Sequence, residues 1–385
     1  MNKMKIDIRH IGWWLCSMIV LLCPSCSSGS DDDDNKPDGN GPSMLEIHVY
    51  TPENPLVTRA EVNPESEEMK AVKTLDIWVF QSSTGTLVGH LAPQVSESFE
   101  GGTYQMSVSD DFAENTPDVD VFVILNAASA GFDPNTVTSR AQLVDAMIKD
   151  PYFGLTSPQA TLPAAGLPMT GVLKNQTLEV SPPVLKVAPV KVVRAVSKVR
   201  FVFSRTDTGE NQALKVNSIS INDGMIPTQE YLFLDGAYHP ETSRIKIVPD
   251  EYVTGGALTP LTDNDQIRIC AYPAQYAYDA LNPQQAKGQD YENLIDGGIE
   301  ARELTQVGRF YLRESDQKIK GEIKYTIGTG AEKTATFLME NEYDFSRNHT
   351  WIVYGYFAGK ESLKVSCIDV TPWVNSESDR EWYNW

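Results

Sequence analysis

The sequence predicts an all-β chain folded as two tandem β-sandwiches, and three observations carry that prediction. Apolar residues recur mostly with a period of two, in short runs separated by Gly, Pro, Asn, Asp and Ser. One modest segment alone has the spacing of an amphipathic helix. The 385 residues exceed what one ordinary β-domain uses and suffice for two hydrophobic cores.

The first strand is read at Met44–Tyr50, where Leu45, Ile47 and Val49 alternate with Glu46 and His48. Residues 74–80, TLDIWVF, are apolar on both faces and read as a central strand, with SSTGTLVG after them as a hairpin turn. Residues 119–125 form another buried strand. In 138–151 Ser139 and Gln142 make a capping-box pair, Leu143, Val144, Met147 and Ile148 share one helical face, and Pro151 closes the helix. The proline-marked VSPPVLKVAPV then separates the halves near Val187. In VRAVSKVRFVFSR, Val199, Phe201 and Phe203 share one face of a long strand, and ALKVNSISIN, RIKIVP, QIRICAYP, KGEIKYTI and HTWIVYGYF follow as further strands. The expected sandwiches cover residues 44–186 and 187–385.

Before them comes an address. Lys3, Lys5, Arg9 and His10 precede the apolar run 11–22, which is too short to span a bilayer and fits the hydrophobic region of a secretory signal over residues 1–25. The Ser-, Gly- and Asp-rich residues 26–43 that follow cannot pack a core and read as a flexible acidic tether. This layout is that of a bacterial lipoprotein acylated at Cys26. Cys23 stands three places before Cys26, where Leu is usual, and Leu22 one place further out. Cys23 suits acylation less, because bulky Leu22 directly precedes it; the alternative is a plain secretory signal cut nearby. The acidic run 31–34 reads as a solvated tether, not a metal site, and resembles the signal that sends lipoproteins of some Gram-negative bacteria to the cell surface.

Composition excludes several function classes. The net charge is -20 with scattered basic residues, so the phosphate-neutralising footprint of a nucleic-acid binder is missing. Beyond the signal only Cys270 and Cys367 remain, each in a strand-like run; they either pair, as an exported protein permits, or stay as two buried thiols. His48, His90, His239 and His349 show no metal spacing, and H-E-x-x-H and G-x-S-x-G are absent. Residues 328–335, GTGAEKTA, echo a phosphate loop, but Glu332 stands where a glycine is required, so they read as a hairpin tip. Asp263 and Asp265 lie in a polar turn without the Gly and Glu of a calcium loop. No enzyme, cofactor or metal is expected.

Taken in order, TLDIWVFQSSTGTL, VFVILNAAS, GLPMTG, VVRAVSKVRFVF, and the closing RNHTWIVYGYF, LKVSCIDVTPW and WYNW resemble the fimbrillin family, the subunits of type V pili, over essentially the whole chain. The resemblance implies two transthyretin-like Greek-key sandwiches and export as an outer-membrane lipoprotein carrying palmitate. It also implies an arginine-specific surface protease that cuts after the first strand. By position that bond is Arg59-Ala60, and the cut would remove the strand region 44–58 with Leu45, Ile47 and Val49. Donor-strand exchange would then refill the groove with the tail 363–385 of another pilus subunit. In that tail Leu363, Val365 and Cys367 share one face, Ile368 and Val370 continue on the other, and Trp373, Trp382 and Trp385 follow.

These implications make the chain a stalk subunit of a fimbrium serving adhesion to a host or bacterial surface ligand. The alternatives are a pilus tip or anchor subunit, or a non-polymerising surface lipoprotein that binds glycan or host protein. In an isolated subunit the segment 363–370 can equally fold back as the last strand of its own sandwich.

Overall fold

A computed structural model of the chain describes residues 44–51, 71–95, 99, 101–156, 158, 160–181, 183–205, 212–234, 252–268, 305–339, 345–358 and 362–370. Its elements are mainly strands. In the first half these are β1 (Met44–Tyr50), β2 (Leu75–Gln81), β3 (Leu87–Leu91), β4 (Gly101–Ser107), β5 (Val119–Leu125), β6 (Met147–Ile148), β7 (Met169–Gln176), β8 (Glu179–Ser181), β9 (Val184–Lys186), β10 (Val190–Lys191) and β11 (Val193–Arg194). The second half contains β12 (Ser197–Arg205), β13 (Leu214–Ile221), β14 (Glu230–Tyr231), β15 (Gly256–Ala257), β16 (Thr305–Leu312), β17 (Ile319–Ile327), β18 (Lys333–Met339), β19 (Thr350–Ala358) and β20 (Ser362–Val370). Two short helices, α1 (Asp110–Asn115) and α2 (Arg140–Val144), interrupt the strands.

Two sheets enclose each core. In the first half, one sheet places β1 between β4 on one side and β9 and β10 on the other, and the second runs β11-β7-β5-β2-β3. Ile77, Val79, Val121 and Val123 belong to the first core together with the three apolar residues of β1, while Trp78 and Phe122, at the alternate positions of β2 and β5, lie edge-on to Phe132 and Phe233. In the second half the sheets run β16-β12-β19-β20 and β15-β13-β17-β18, around Phe201, Phe203, Phe310, Ile323 and Trp351. Alternation explains the one-sided strands: in β13 Leu214, Val216, Ile219 and Ile221 are buried while Lys215 is exposed, with one bulge between Val216 and Ser218 restoring the phase. In β2 and β5 almost every residue is buried, as the continuous apolar runs predict for central strands.

The fold agrees with the all-β expectation and departs from it locally. The helix expected over 138–151 is only α2, although the capping box is present and the Ser139 N–H donates to Gln142 Oε1 at 2.9 Å. Its downstream apolar pair, Met147 and Ile148, is taken instead by β14 from the second half, which bonds their backbone as a two-stranded ladder. A long-range partner outcompetes a marginal short helix. A second helix, α1, starts at Ser109, whose side chain accepts from the Phe112 N–H at 3.2 Å. Residues 328–332 of the GTGAEKTA stretch are the turn of the β17–β18 hairpin, with Gly328 at φ +58, and Lys333 begins β18. RIKIVP and the cysteine-bearing part of QIRICAYP lie outside the described residues, while Gln266–Arg268 belong to no strand.

The join between the halves falls later than Val187. β10 pairs with β1 and β11 with β7, so residues 190–194, placed by sequence in the second sandwich, belong by pairing to the first. The two cores also exchange side chains. Leu232, Phe233 and Tyr311 are buried in the first core, and Leu155 in the second.

Candidate functional site

The strand around which the sequence reading turns is fully built into its sheet. β1 pairs antiparallel with β4 along all its length, from Met44 opposite Ser107 to Tyr50 opposite Gly101. Its other edge is shared by two short parallel strands: β9 faces residues 44–46 and β10 faces residues 49–50. Between them the Val187 N–H donates to Glu46 O at 3.1 Å, and beyond them the Val192 N–H donates to Tyr50 O at 2.9 Å. Leu45, Ile47 and Val49 point into the core and are 0% exposed. Glu46 and His48 face outward, where they bond Gln105 at 2.9 Å and Thr103 at 3.2 Å.

The chain leaves β1 at Thr51 and re-enters the description at Ala71. Arg59 and Ala60 lie in the interval and outside the described residues, as does Cys26. At the re-entry a residue not anticipated from sequence takes over. Asn126, buried and left-handed at φ +58, accepts the Lys73 N–H at 2.7 Å and donates from Nδ2 to Leu167 O at 2.9 Å. It pins the start of β2 independently of β1. A break within 52–70 would therefore leave β2 clamped while β1 keeps only its ladder bonds and its core contacts. The signal in the sequence was an asparagine directly after a buried strand, a residue type that tolerates this backbone region.

The proposed donor segment occupies the opposite kind of position. β20 is the edge strand of its sheet, paired antiparallel with β19 alone along its whole length, from Thr350 opposite Val370 to Ala358 opposite Ser362. Leu363 is buried, and Val365 and Cys367 pack partly buried against the second core. Lys364 on the alternate face is exposed. Ile368 and Val370 are placed by the ladder register only, and Trp373, Trp382 and Trp385 lie outside the described residues. Cys367 carries a free thiol whose pKa burial pushes up to about 12, with a backbone hydrogen bond at Leu338 acting against it. At neutral pH it is a small apolar side chain, not a nucleophile. Cys270 lies outside the described residues.

Between the two sandwiches sits a cluster of charges that no sequence pattern singled out. Arg347, fully buried, donates from Nε to Glu314 Oε1 at 3.0 Å and from Nη1 to Leu232 O at 2.9 Å, and its N–H reaches Glu314 Oε2 at 3.1 Å. The Glu314 N–H donates to Glu230 Oε2 at 2.6 Å, while Glu230 Oε1 is buried without a hydrogen-bond partner. Arg313 reaches across to the carbonyls of Ile148 at 3.2 Å and Asp150 at 2.6 Å. Residues of the second half thus cap main-chain groups of β6 and β14, holding the two sandwiches together with directional bonds. Among the described residues, no group of three or more His, Cys, Asp or Glu side chains is placed to hold a metal ion.

Burial pushes the Glu230 carboxyl well above the usual carboxylate range; the neighbouring Glu314 acts in the same direction, and Arg347 and Arg313 act against it. The folded chain therefore retains this proton over a pH window in which the unfolded chain has released it. The group's contribution to stability is full below its ordinary value of 4.5 and is lost as pH rises through the window up to the folded-state value. Glu230→Gln keeps an oxygen for the Glu314 N–H and cannot ionise. Its melting temperature relative to the parent is expected to climb between pH 5 and pH 8, read from paired thermal scans across that range, and a parallel pair of pH profiles would contradict the assignment.

No family model matches the chain, and no curated protein matches it either. Solved structures do. The tip fimbrial protein Mfa3 from Porphyromonas gingivalis, in a C-terminally truncated form, superposes with a TM-score of 0.48 at 12% identity, over 86% of this chain and 100% of that one. A fimbrilin (FimA) from Porphyromonas gingivalis gives 0.47 at 12% identity, over 86% and 97%. A fimbrial assembly protein from Parabacteroides distasonis gives 0.44 at 11% identity, over 84% and 99%.

Proposed function

We propose that this chain is a structural subunit of a type V pilus, a stalk subunit exported as a lipoprotein through Cys26, processed after Arg59 and polymerised by donor-strand exchange at the cell surface. The observation that carries the reading is the placement of β1. It is a central strand with both edges paired and three side chains wholly buried, yet it is joined onward only through the segment that contains Arg59. Removing it would expose the groove that Leu45, Ile47 and Val49 fill, at about 1.5–3 kcal/mol each and so roughly 5–9 kcal/mol together. A whole domain is worth only about 5–15 kcal/mol. The emptied sandwich would also present β4 on one side and β9 and β10 on the other as unpaired edges, a template for an incoming strand.

The two strand positions supply a direction to the exchange. β20 has one ladder neighbour in its own subunit, whereas a strand in the β1 slot has neighbours on both sides. A segment that leaves an edge and enters a vacated centre exchanges one ladder for two, and moves Val365 and Cys367 from partly buried to fully buried positions. Its alternation of Leu363, Val365 and Cys367 repeats the spacing of Leu45, Ile47 and Val49. Donation from one subunit to the next is a heterologous contact, which grows open filaments instead of closed dimers. Cleavage would also sever the folded protein from its lipid, so that subunits leave the outer membrane on the growing fibre.

The test compares material sheared from cells with the membrane-retained pool, by intact mass and N-terminal sequence, for the parent and for Arg59→Ala. The reading expects a detergent-resistant sheared polymer whose chains begin at Ala60, and Arg59→Ala chains that start at lipidated Cys26 and stay monomeric in the membrane. Polymer formed equally well by Arg59→Ala would sink it.

A further inference from the structure

Two strands, β4 and β10, pair with β1 alone among the described residues, and β10 has the shorter hold. β9 has β8 as a second neighbour, but β10 has β1 as its one strand partner among the described residues. Its hold is two ladder positions, Val49 opposite Val190 and Tyr50 opposite Lys191, followed by the Val192 N–H bond to Tyr50 O. Two residues later the chain has crossed to the other sheet, where Arg194 pairs opposite Met169 and the Ala195 N–H bonds Pro168 O at 2.8 Å.

At that point the first sandwich grips the second. Asn348, left-handed at φ +61, receives the Arg194 N–H at 3.4 Å and Arg194 Nε at 3.2 Å on its Oδ1, and returns its own N–H to Val196 O at 2.9 Å. Next in sequence, His349 O accepts the Lys198 N–H at 2.9 Å, and Thr350 opens β19 opposite Val370, the last residue of β20. A continuous series of hydrogen bonds and short chain segments therefore runs from the rim of the β1 slot to the end of β20, the edge strand that leads into the C-terminal tail.

We infer that occupancy of the β1 slot is coupled through the Arg194–Asn348 contact to the hold on β20, so that emptying the slot loosens the C-terminal strand of the same subunit. The two-state element is the crossover 190–196: anchored at both ends when Tyr50 is in place, and at one end when it is not. Coupling of this kind is a difference in free energy between slot-filled and slot-empty states, and it acts in both directions. The inference rests on the strand-exchange reading for its use: a subunit would keep its own β20 docked until processed, and would become a donor once its slot is open. Premature polymerisation in the periplasm would then be blocked twice.

Hydrogen exchange followed by peptide-level mass spectrometry on the full chain tests this. The slot is emptied by arginine-specific cleavage with removal of the freed strand, confirmed by mass, or independently by Ile47→Asp. It is refilled with a synthetic peptide of residues 43–51. Exchange of the β20 amides is expected to rise by about 5- to 150-fold on emptying, the usual range of coupling between sites, to fall back on refilling, and to leave β13 and β17 unchanged. In Asn348→Ala the response of β20 to the slot is expected to vanish, and in Asn348→Asp, which retains an acceptor oxygen for Arg194, to persist. Identical β20 exchange in the filled and emptied parent overturns the inference, as does a response that survives intact in Asn348→Ala. Loosening of β20 in chains that never polymerise would leave the coupling standing and fault the pilus assignment; polymerisation with an unresponsive β20 would do the reverse.

Discussion

Ile47→Asp is expected to expel β1 from its sheet and bring the first sandwich to the edge of unfolding. The isoleucine is wholly buried between β4 and the parallel pair β9 and β10. Deleting a buried side chain of that size costs about 2–5 kcal/mol, and a carboxylate left there without a partner adds several more. Together these approach the roughly 5–15 kcal/mol that holds a domain folded. His48→Ala, one residue away on the exposed face, is expected to stay within about 0.5 kcal/mol of the parent. Urea unfolding of the two variants side by side checks both statements. Equal stabilities would mean that β1 does not occupy the place described, and with it the slot argument would fall.

The second large effect is expected at the joint. Arg347→Ala removes the guanidinium that Glu314 receives twice and that also bonds the carbonyls of Leu232 and Tyr231. Glu314 would be left buried beside Glu230 with its ion pair gone, and breaking one side of such a pair costs about 3–5 kcal/mol. The loss is expected to fall on the seam between the sandwiches, so that thermal unfolding followed by calorimetry separates into two transitions, the second half melting apart from the first. Arg347→Met combined with Glu314→Leu is expected to recover most of the melting temperature, because an apolar pair leaves no orphaned charge. A single unaltered transition for Arg347→Ala would show that the cluster does not carry the joint.

The strands legible in the sequence are those whose burial follows from their own residues. β2, β5 and β19 are nearly continuous apolar runs, β1, β12 and β17 place apolar residues at alternate positions, and β13 does so on each side of its bulge; such patterns fold one way against any core. Elements of two or three residues, β6, β10, β11 and β14, carry too little pattern to be read and exist because something distant pairs with them. The helix expected through Ile148 was shortened for that reason. Asn126, Arg194, Asn348, Arg347 and Glu230 escaped notice for another: isolated polar residues acquire a role only when folding brings their partners from tens or hundreds of positions away. For the candidate site, the identity of β1 and its three core-facing residues was readable from period two, whereas its central position between an antiparallel and two parallel neighbours was not.

Sequence by itself determined the all-β character, the two cores, the inward face of the first strand and the polar, proline-marked segment behind it, since each depends on local periodicity and on turn residues acting over a few positions. Tertiary structure alone decided that β1 is a centre and β20 an edge, that the halves meet across buried charges, and that Arg194 touches Asn348. Those are matters of pairing between residues far apart in the chain, and alternation says which face of a strand is buried without saying which strands lie beside it.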